Sequence, residues 1–442
     1  MKAAILFIAI LPLTSLAGVT SYFNQNQSKQ YVEPYRGITR RGDNLEAVIL
    51  SEINKAKKSV YVAVQELRLP LIAQALINKK KQGVDVRVVL EHDYNFTVER
   101  QTDRSSDNEH DASKLTELRA FVDVNRDGKM DQAELLSRDA IYMLNKAQIP
   151  VMDDASDGSS GSGLMHHKFV IVDGNSTIVS SANFTMSCIH GDTLTPGSRG
   201  NANSLIKVES ASFANVFTQE FAQLWGRKFG NGKSYRGPQT VVVAGTKLTV
   251  QFSPTSRKSQ WHETVNGLIG STIARAASSV KAALFVYSDQ SIANVLERRA
   301  LAGVSIGMIV EPKFAFRDYS ELLDMMGARM LNGNCAYETQ NNPWARPVRE
   351  VGIPKLAGGD VLHHKFAVVD SKIVIMGSEN WSDSANYIND ETLVVIESSA
   401  ISDSYTQEYR RVLGTSVLGV PAWLQTEISR KESNCANHGF HY

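Results

Sequence analysis

Two short runs carry residue types that could work together on one substrate. His166-His167-Lys168-Phe169-Val170-Ile171-Val172-Asp173 is followed by Ser180-Ser181-Ala182-Asn183. His363-His364-Lys365-Phe366-Ala367-Val368-Val369-Asp370 is followed by Gly377-Ser378-Glu379-Asn380. Both read H-x-K-x4-D, with a serine and an asparagine at matching offsets. One bare match arises by chance at roughly a few per cent in a chain of this composition, so the weight lies in the doubling. Alternate side chains of an extended strand share a face, so His166 projects with Lys168 and His363 with Lys365. His167 and His364 point the other way and are expected to be structural. Two imidazoles can serve as nucleophile and acid while two ammonium groups hold the non-bridging oxygens of a phosphodiester. Asn183, Asn380 and the hydroxyls of Ser181 and Ser378 can add neutral donors. Asp173 and Asp370 complete the expected catalytic set.

The elements that must position these runs also repeat. Residues 53–60 lead into the apolar run 61–64, and residues 273–280 into 282–287. A helical stretch, a glycine, a β-branched run and a glutamate follow in both, from Gly83 to Glu91 and from Gly303 to Glu311. That order is the pattern of an αβαβ unit with a parallel sheet, an α/β fold. Each half closes on an apolar strand (205–208, 393–396) and a helix carrying Phe217, Phe221 and Trp225, or Tyr405 and Tyr409. Glycine and polar residues crowd 229–238, which marks a boundary, and 240–252 around Ala244-Gly245-Thr246 reads as a hairpin. The expected organisation is a first half over 18–230, a linker and hairpin over 231–260, and a second half over 261–442. Gly83 and Gly303 lie 220 apart but His166 and His363 only 197, so the first half holds 23 extra residues between those points. They fall in an insertion at about 100–147. A second long loop spans 314–360. Both follow the glutamate that ends a strand, the edge where α/β sites form, so both should border the cleft.

A chain of 442 residues with 43% apolar and 21% charged residues is long enough for two domains or one two-lobed body. Its net charge of +1 excludes a blanket positive potential, so a polyanion would need a local basic groove. Lys2, the apolar run 3–13 and Ser15-Leu16-Ala17 read as a signal peptide over 1–17, hence a secreted or periplasmic protein. The apolar run is too short to span a bilayer, Pro12 interrupts it, and no later apolar run reaches about 18 residues. Cys188, Cys335 and Cys435 fit no zinc spacing. Export permits one disulfide, with the pairing open.

The insertion contains a second signal. Asp123, Asn125, Asp127, Asp131 and Glu134 supply oxygens at positions 1, 3, 5, 9 and 12 of a twelve-residue loop, with Lys129 at 7 and Gly128 at 6. Flanks 115–121 and 133–147 are helix-compatible. One Ca2+ with a structural role is expected.

The doubled motif resembles that of the phospholipase D superfamily, and of secreted bacterial phospholipase D-like proteins in particular, over nearly the whole chain after residue 17. The resemblance implies two similar α/β lobes with mixed sheets packed around one shared active-site cleft. It implies a covalent phosphohistidine: one histidine attacks phosphorus, the other protonates the leaving oxygen and then activates water, with no cofactor. It also implies a group beyond each motif that orients a histidine, here Glu391 of Asn389-Asp390-Glu391 and Asn203 of Asn201-Ala202-Asn203. If each serves its own half, the amide leaves His166 neutral and nucleophilic while the carboxylate favours a charged His363 as acid. Pairing across the halves reverses the roles. The substrate is a phosphodiester in nucleic acid or phospholipid. Arg199, Lys313, Arg317, Arg346 and Arg349, with Trp344 or Phe316 to stack on bases, tilt the expectation toward a nuclease acting on DNA or RNA. A phospholipase D releasing phosphatidic acid and a competence-type DNA-uptake protein are the alternatives. A monomer is expected.

Overall fold

The computed structural model describes residues 18–101, 109–155, 158 and 163–437; the expected signal peptide and residues 102–108 of the insertion lie outside them. In chain order the first half runs β1 (Val19–Phe23), β2 (Gln30–Val32), β3 (Thr39–Arg41), α1 (Leu45–Lys55), β4 (Ser59–Val64), α2 (Pro70–Lys81), β5 (Asp85–Leu90), α3 (Val98–Gln101), α4 (Glu109–Val122), α5 (Gln132–Arg138), α6 (Ala140–Lys146), β6 (Val151–Asp153), β7 (Lys168–Val172), β8 (Ser176–Ser180), α7 (Met186–Ile189), β9 (Ser204–Glu209) and α8 (Ala211–Trp225). The second continues through β10 (Gln239–Val243), β11 (Thr246–Phe252), α9 (Val265–Ala274), β12 (Ser279–Leu284), α10 (Gln290–Leu301), β13 (Ser305–Val310), α11 (Pro312–Ala315), α12 (Glu321–Met325), β14 (Glu350–Pro354), β15 (Lys365–Val369), β16 (Ile373–Gly377), α13 (Asp383–Tyr387), β17 (Thr392–Glu397), α14 (Ser399–Leu413), β18 (Ser416–Leu418) and α15 (Ala422–Asn437).

Each half builds one mixed sheet, in the orders β1-β9-β8-β7-β4-β5-β6 and β10-β11-β17-β16-β15-β12-β13-β14-β18. The expected parallel unit exists only where helices cross over: β4, β5 and β6 in that order, and β12, β13 and β14 likewise. The motif strands β7 and β15 run antiparallel to β4 and β12 at the middle of each sheet, every residue buried. Their apolar runs could not be solvated at an edge.

The hairpin β10–β11 turns at Ala244 and Gly245, both with positive φ, the geometry whose twist matches the strands it joins. β11 pairs with β17 from Lys247↔Glu397 to Phe252↔Thr392, so the second half begins with this hairpin.

The halves share a core. Phe169 and Phe217 from the first pack with Phe252, Phe366 and Tyr405 from the second, and Phe217 meets Phe252 edge-on at 5.3 Å between ring centroids. Burying an aromatic ring contributes about 2–3 kcal/mol, so this contact fixes the halves as one body. A buried ion cluster adds to it. Lys233, in the connecting segment, sits 2.5 Å from Glu220 of α8 and 2.6 Å from Asp390, and donates to the carbonyl of Ser253 at 2.7 Å. Cys335 and Cys435 form a disulfide between the long second-half loop and α15, leaving Cys188 free and buried.

The calcium-type loop connects α4 to α5. Asp123 accepts the backbone N–H of Asp127 and Gly128, and Asn125 that of Asp127. Glu134 reaches back to accept the N–H of Val124, Asn125 and Asp131. The last acidic side chain therefore closes the loop onto its first.

Candidate active site

The motifs meet because each is stitched by backbone to the downstream segment of the other half. Met165 and Asp390 form a parallel bridge, with the His166 N–H on the Asp390 carbonyl at 2.9 Å. Ala202 and Leu362 form its counterpart, with the His363 N–H on the Ala202 carbonyl at 3.0 Å. The next residue in each downstream segment is the expected orienting group. It therefore lies beside the opposite histidine: His166 Nδ1 is 2.7 Å from Glu391 Oε2, and His363 Nδ1 is 3.0 Å from Asn203 Oδ1. Pairing within each half, on which His166 was expected as nucleophile, does not occur.

The tautomer of His363 follows from Asn203. Its Nδ2 donates to the carbonyls of Cys188 and Asn201, each at 3.0 Å, and its Oδ1 also accepts from Ser181 Oγ at 2.8 Å. The oxygen is thereby turned to His363, whose Nδ1 must carry the proton and whose Nε2 keeps its lone pair. His166 Nδ1 faces a carboxylate instead.

Both histidines are about nine-tenths or more buried. Burial, then the nearby Lys168 and Lys365, holds both well below the usual imidazole range. Burial also lowers Lys168 to about 8 and pushes Lys365 well down. It lifts Glu391 to about 7, although Lys168, Ser378 and Lys365 pull the other way. Such a cleft has buried cationic groups in excess, and an incoming phosphodiester anion would supply the missing charge.

The lysines are held in parallel ways and then differ. Lys168 Nζ donates to the His166 carbonyl at 2.8 Å and to Gln65 Oε1 at 3.3 Å, and Asn183 Nδ2 donates to the same Gln65 oxygen at 3.1 Å. Lys365 Nζ donates to the His363 carbonyl at 2.9 Å but lies 4.7 Å over the ring of Phe285, which also touches the His363 ring with centroids 4.8 Å apart. Asn380 Oδ1 is buried with no hydrogen-bond partner among the described residues. Sequence reasoning missed Gln65 and Phe285. Their signal was the 220-residue offset of the repeat, which makes them equivalent positions just past β4 and β12.

Several expected site residues lie elsewhere. Asp173 and Asp370 are not in the cleft. Each stands five residues beyond its lysine, about 16 Å along a strand. Asp173 takes the backbone N–H of Lys57, Lys58 and Ser59, and Asp370 those of Ala277, Ser278 and Ser279. The hydroxyls expected as substrate donors are committed too: Ser181 donates to Asn203, and Ser378 accepts the N–H of Thr392 at 2.9 Å and bonds the Glu391 carboxylate. Trp344 is buried, 2% exposed, and cannot stack on a base, while Phe316 leans edge-on against Trp423. His167 and His364 are structural, bonded to Thr392 and Glu408. His167, Glu220 and Asp390 come close enough together to hold a metal, but the Lys233 ammonium already lies against both carboxylates.

A family model described as cardiolipin synthase, phospholipase D-like domain, matches residues 49–225 and 269–413, covering both motif runs. Mouse mitochondrial cardiolipin hydrolase is 28% identical over 134 residues, 28% of this chain and 59% of that protein. A phospholipase D of Rickettsia bellii is 26% identical over 167 residues, 38% of this chain and 69% of that protein. The chain thus spans about three-fifths of the length of the mouse relative. The crystal structure of phosphatidylserine synthase from Haemophilus influenzae Rd KW20 aligns over 94% of this chain and 96% of that one, with a TM-score of 0.53 and 12% identity, a likeness of fold. With more than half of its length matched, and matched in both halves, the chain belongs to the phospholipase D-like family.

Proposed function

We propose that the chain hydrolyses phosphodiesters through a phosphohistidine on His363, with His166 as acid and then base. The fixed amide of Asn203 carries this reading, because it leaves the His363 Nε2 lone pair free to attack. The Nε2–P bond forms as the P–O bond to the leaving alcohol breaks, and that oxygen takes a proton from His166 Nε2. Glu391 favours the imidazolium once a bound phosphate offsets Lys168 and Lys365. Water then attacks phosphorus, gives its proton to His166 and releases His363. Lys168, Lys365, Asn183 and Asn380 hold the non-bridging oxygens.

For the substrate we take a phospholipid over the nucleic acid toward which the sequence tilted. Burial of Trp344 removes a stacking partner, the wall beside His363 is aromatic, and the named relatives are lipid enzymes. Exposed Lys313 and Arg317 favour the nucleic-acid reading. Purified protein in excess EDTA should release phosphatidic acid from phosphatidylcholine vesicles and leave plasmid DNA intact. Nicking of the plasmid with untouched vesicles would overturn the lipid reading. Strict dependence on added divalent metal would overturn the phosphohistidine reaction.

The same proposal assigns one structural Ca2+ to Asp123, Asn125, Asp127, Asp131, Glu134 and the Lys129 carbonyl. The loop closure by Glu134 supports it, since that carboxylate reaches the start of the loop. Export is supported by the Cys335–Cys435 disulfide, a bond that persists in oxidising compartments. No helix among the described residues is long and apolar enough to cross a membrane.

A further inference from the structure

The repeat makes the two walls of the cleft directly comparable, and their chemistry is opposite. With an offset of 220, Gln65 corresponds to Phe285 and Tyr94 to Phe314. In the first half Gln65 accepts from Lys168 and Asn183, and the Tyr94 oxygen accepts from Lys114 Nζ at 3.4 Å. Glu66, paired with Arg68, stands close enough to act on both Lys168, which burial lowers against its pull, and Tyr94, which burial and then Glu66 raise. In the second half Phe285 and Phe314 meet edge-on at 4.8 Å, both half-buried, with Phe285 against His363. One wall carries an amide and a phenol hydroxyl; its twin carries two phenyl rings with no polar atom.

A symmetric pair of walls would suit a diester whose two substituents are alike. We infer that Phe285 and Phe314 seat the apolar ester that stays on phosphorus, and Gln65 and Tyr94 the polar ester that leaves, so that these four positions set the direction of cleavage. The inference rests on the proposed phosphohistidine reaction. In-line displacement puts the leaving oxygen opposite His363, toward His166 and so toward the first-half wall. The substituent retained on His363 Nε2 then lies against the rings that flank it. An apolar group loses nothing by facing phenyl rings, whereas a polar one loses its hydration there without a replacement partner. The polar wall reverses that preference. An alkyl or acylglyceryl phosphate bearing a polar alcohol fits this division.

The test uses n-octyl 2-methoxyethyl phosphate, whose products are told apart by phosphorus NMR, beside bis-(p-nitrophenyl) phosphate, whose two esters are alike. Wild type should give octyl phosphate over methoxyethyl phosphate by at least tenfold. Phe285→Gln and Gln65→Phe should each cut that ratio several-fold, read on whatever turnover each retains, and Phe314→Ala should cut it less while still turning over the symmetric diester. Failure of wild type to hydrolyse the symmetric diester would overturn the reaction itself. Normal turnover of it, with a product ratio that neither Phe285→Gln nor Phe314→Ala moves, would overturn only the role of the walls.

Discussion

At the scale of single residues, the decisive contact is the one each histidine makes with the other half. A good leaving group needs little help from an acid, so p-nitrophenyl esters separate the two roles. His166→Ala should retain a burst of nitrophenol and accumulate a phosphoryl adduct on His363, seen by intact mass; His363→Ala should show neither. An adduct on His166 would reverse the assignment. The motif aspartates call for a different measurement. Asp370 is held down to about 2; burial opposes this, but the N–H groups of Ser279, Ala277 and Ser278 prevail. A carboxylate lowered on folding stabilises fully above its unfolded value near 3.8, and that stabilisation fades as pH falls from there toward about 2. Asp370→Asn should therefore cost about 1 kcal/mol in urea unfolding at pH 7 and little near pH 2. Its activity per folded molecule should stay within about twofold, which a catalytic aspartate could not allow.

Among the elements, strands β7 and β15 place the lysines, but the segments around Asp390 and Ala202 place the histidines. Those segments are irregular, and no periodicity announces them. The ion cluster behind them is testable. Lys233→Met leaves Asp390 with the Gly230 N–H and Glu220 with Arg236 and His167, and breaking a buried pair in this way costs about 3–5 kcal/mol. Denaturant unfolding should show that loss; a change below about 1 kcal/mol would mean the cluster is solvated. The hairpin at 239–252 was legible as a hairpin, but the sheet it joins was not. Its partner strand β17 lies some 140 residues further on, and pairing at that distance leaves no local trace.

For the whole molecule, the calcium-type loop between α4 and α5 is expected to add stability without touching the chemistry. Ligand binding to the folded state alone raises the melting temperature. Added Ca2+ should raise the Tm of wild type by several degrees, and Glu134→Gln should abolish that shift while preserving turnover of bis-(p-nitrophenyl) phosphate in EDTA at low temperature. Equal shifts in the two proteins would place the ion elsewhere.

The family resemblance suggested Glu391 and Asn203 as orienting groups; the sequence by itself determined the doubled motif, the repeat, the α/β class and the strands that carry Lys168 and Lys365. Each of these is a local pattern, set by side-chain alternation or by comparison of one half with the other. Only the tertiary structure decided which orienting group serves which histidine, because the answer lies in two inter-half bridges, Met165 with Asp390 and Ala202 with Leu362. It alone removed Asp173 and Asp370 from the cleft, since a five-residue spacing on a strand means distance and only a full set of N–H partners shows the other task. It alone paired Cys335 with Cys435 and buried Trp344. Contacts between residues far apart in sequence depend on how the two sheets pack, and packing is a property of all the side chains at once.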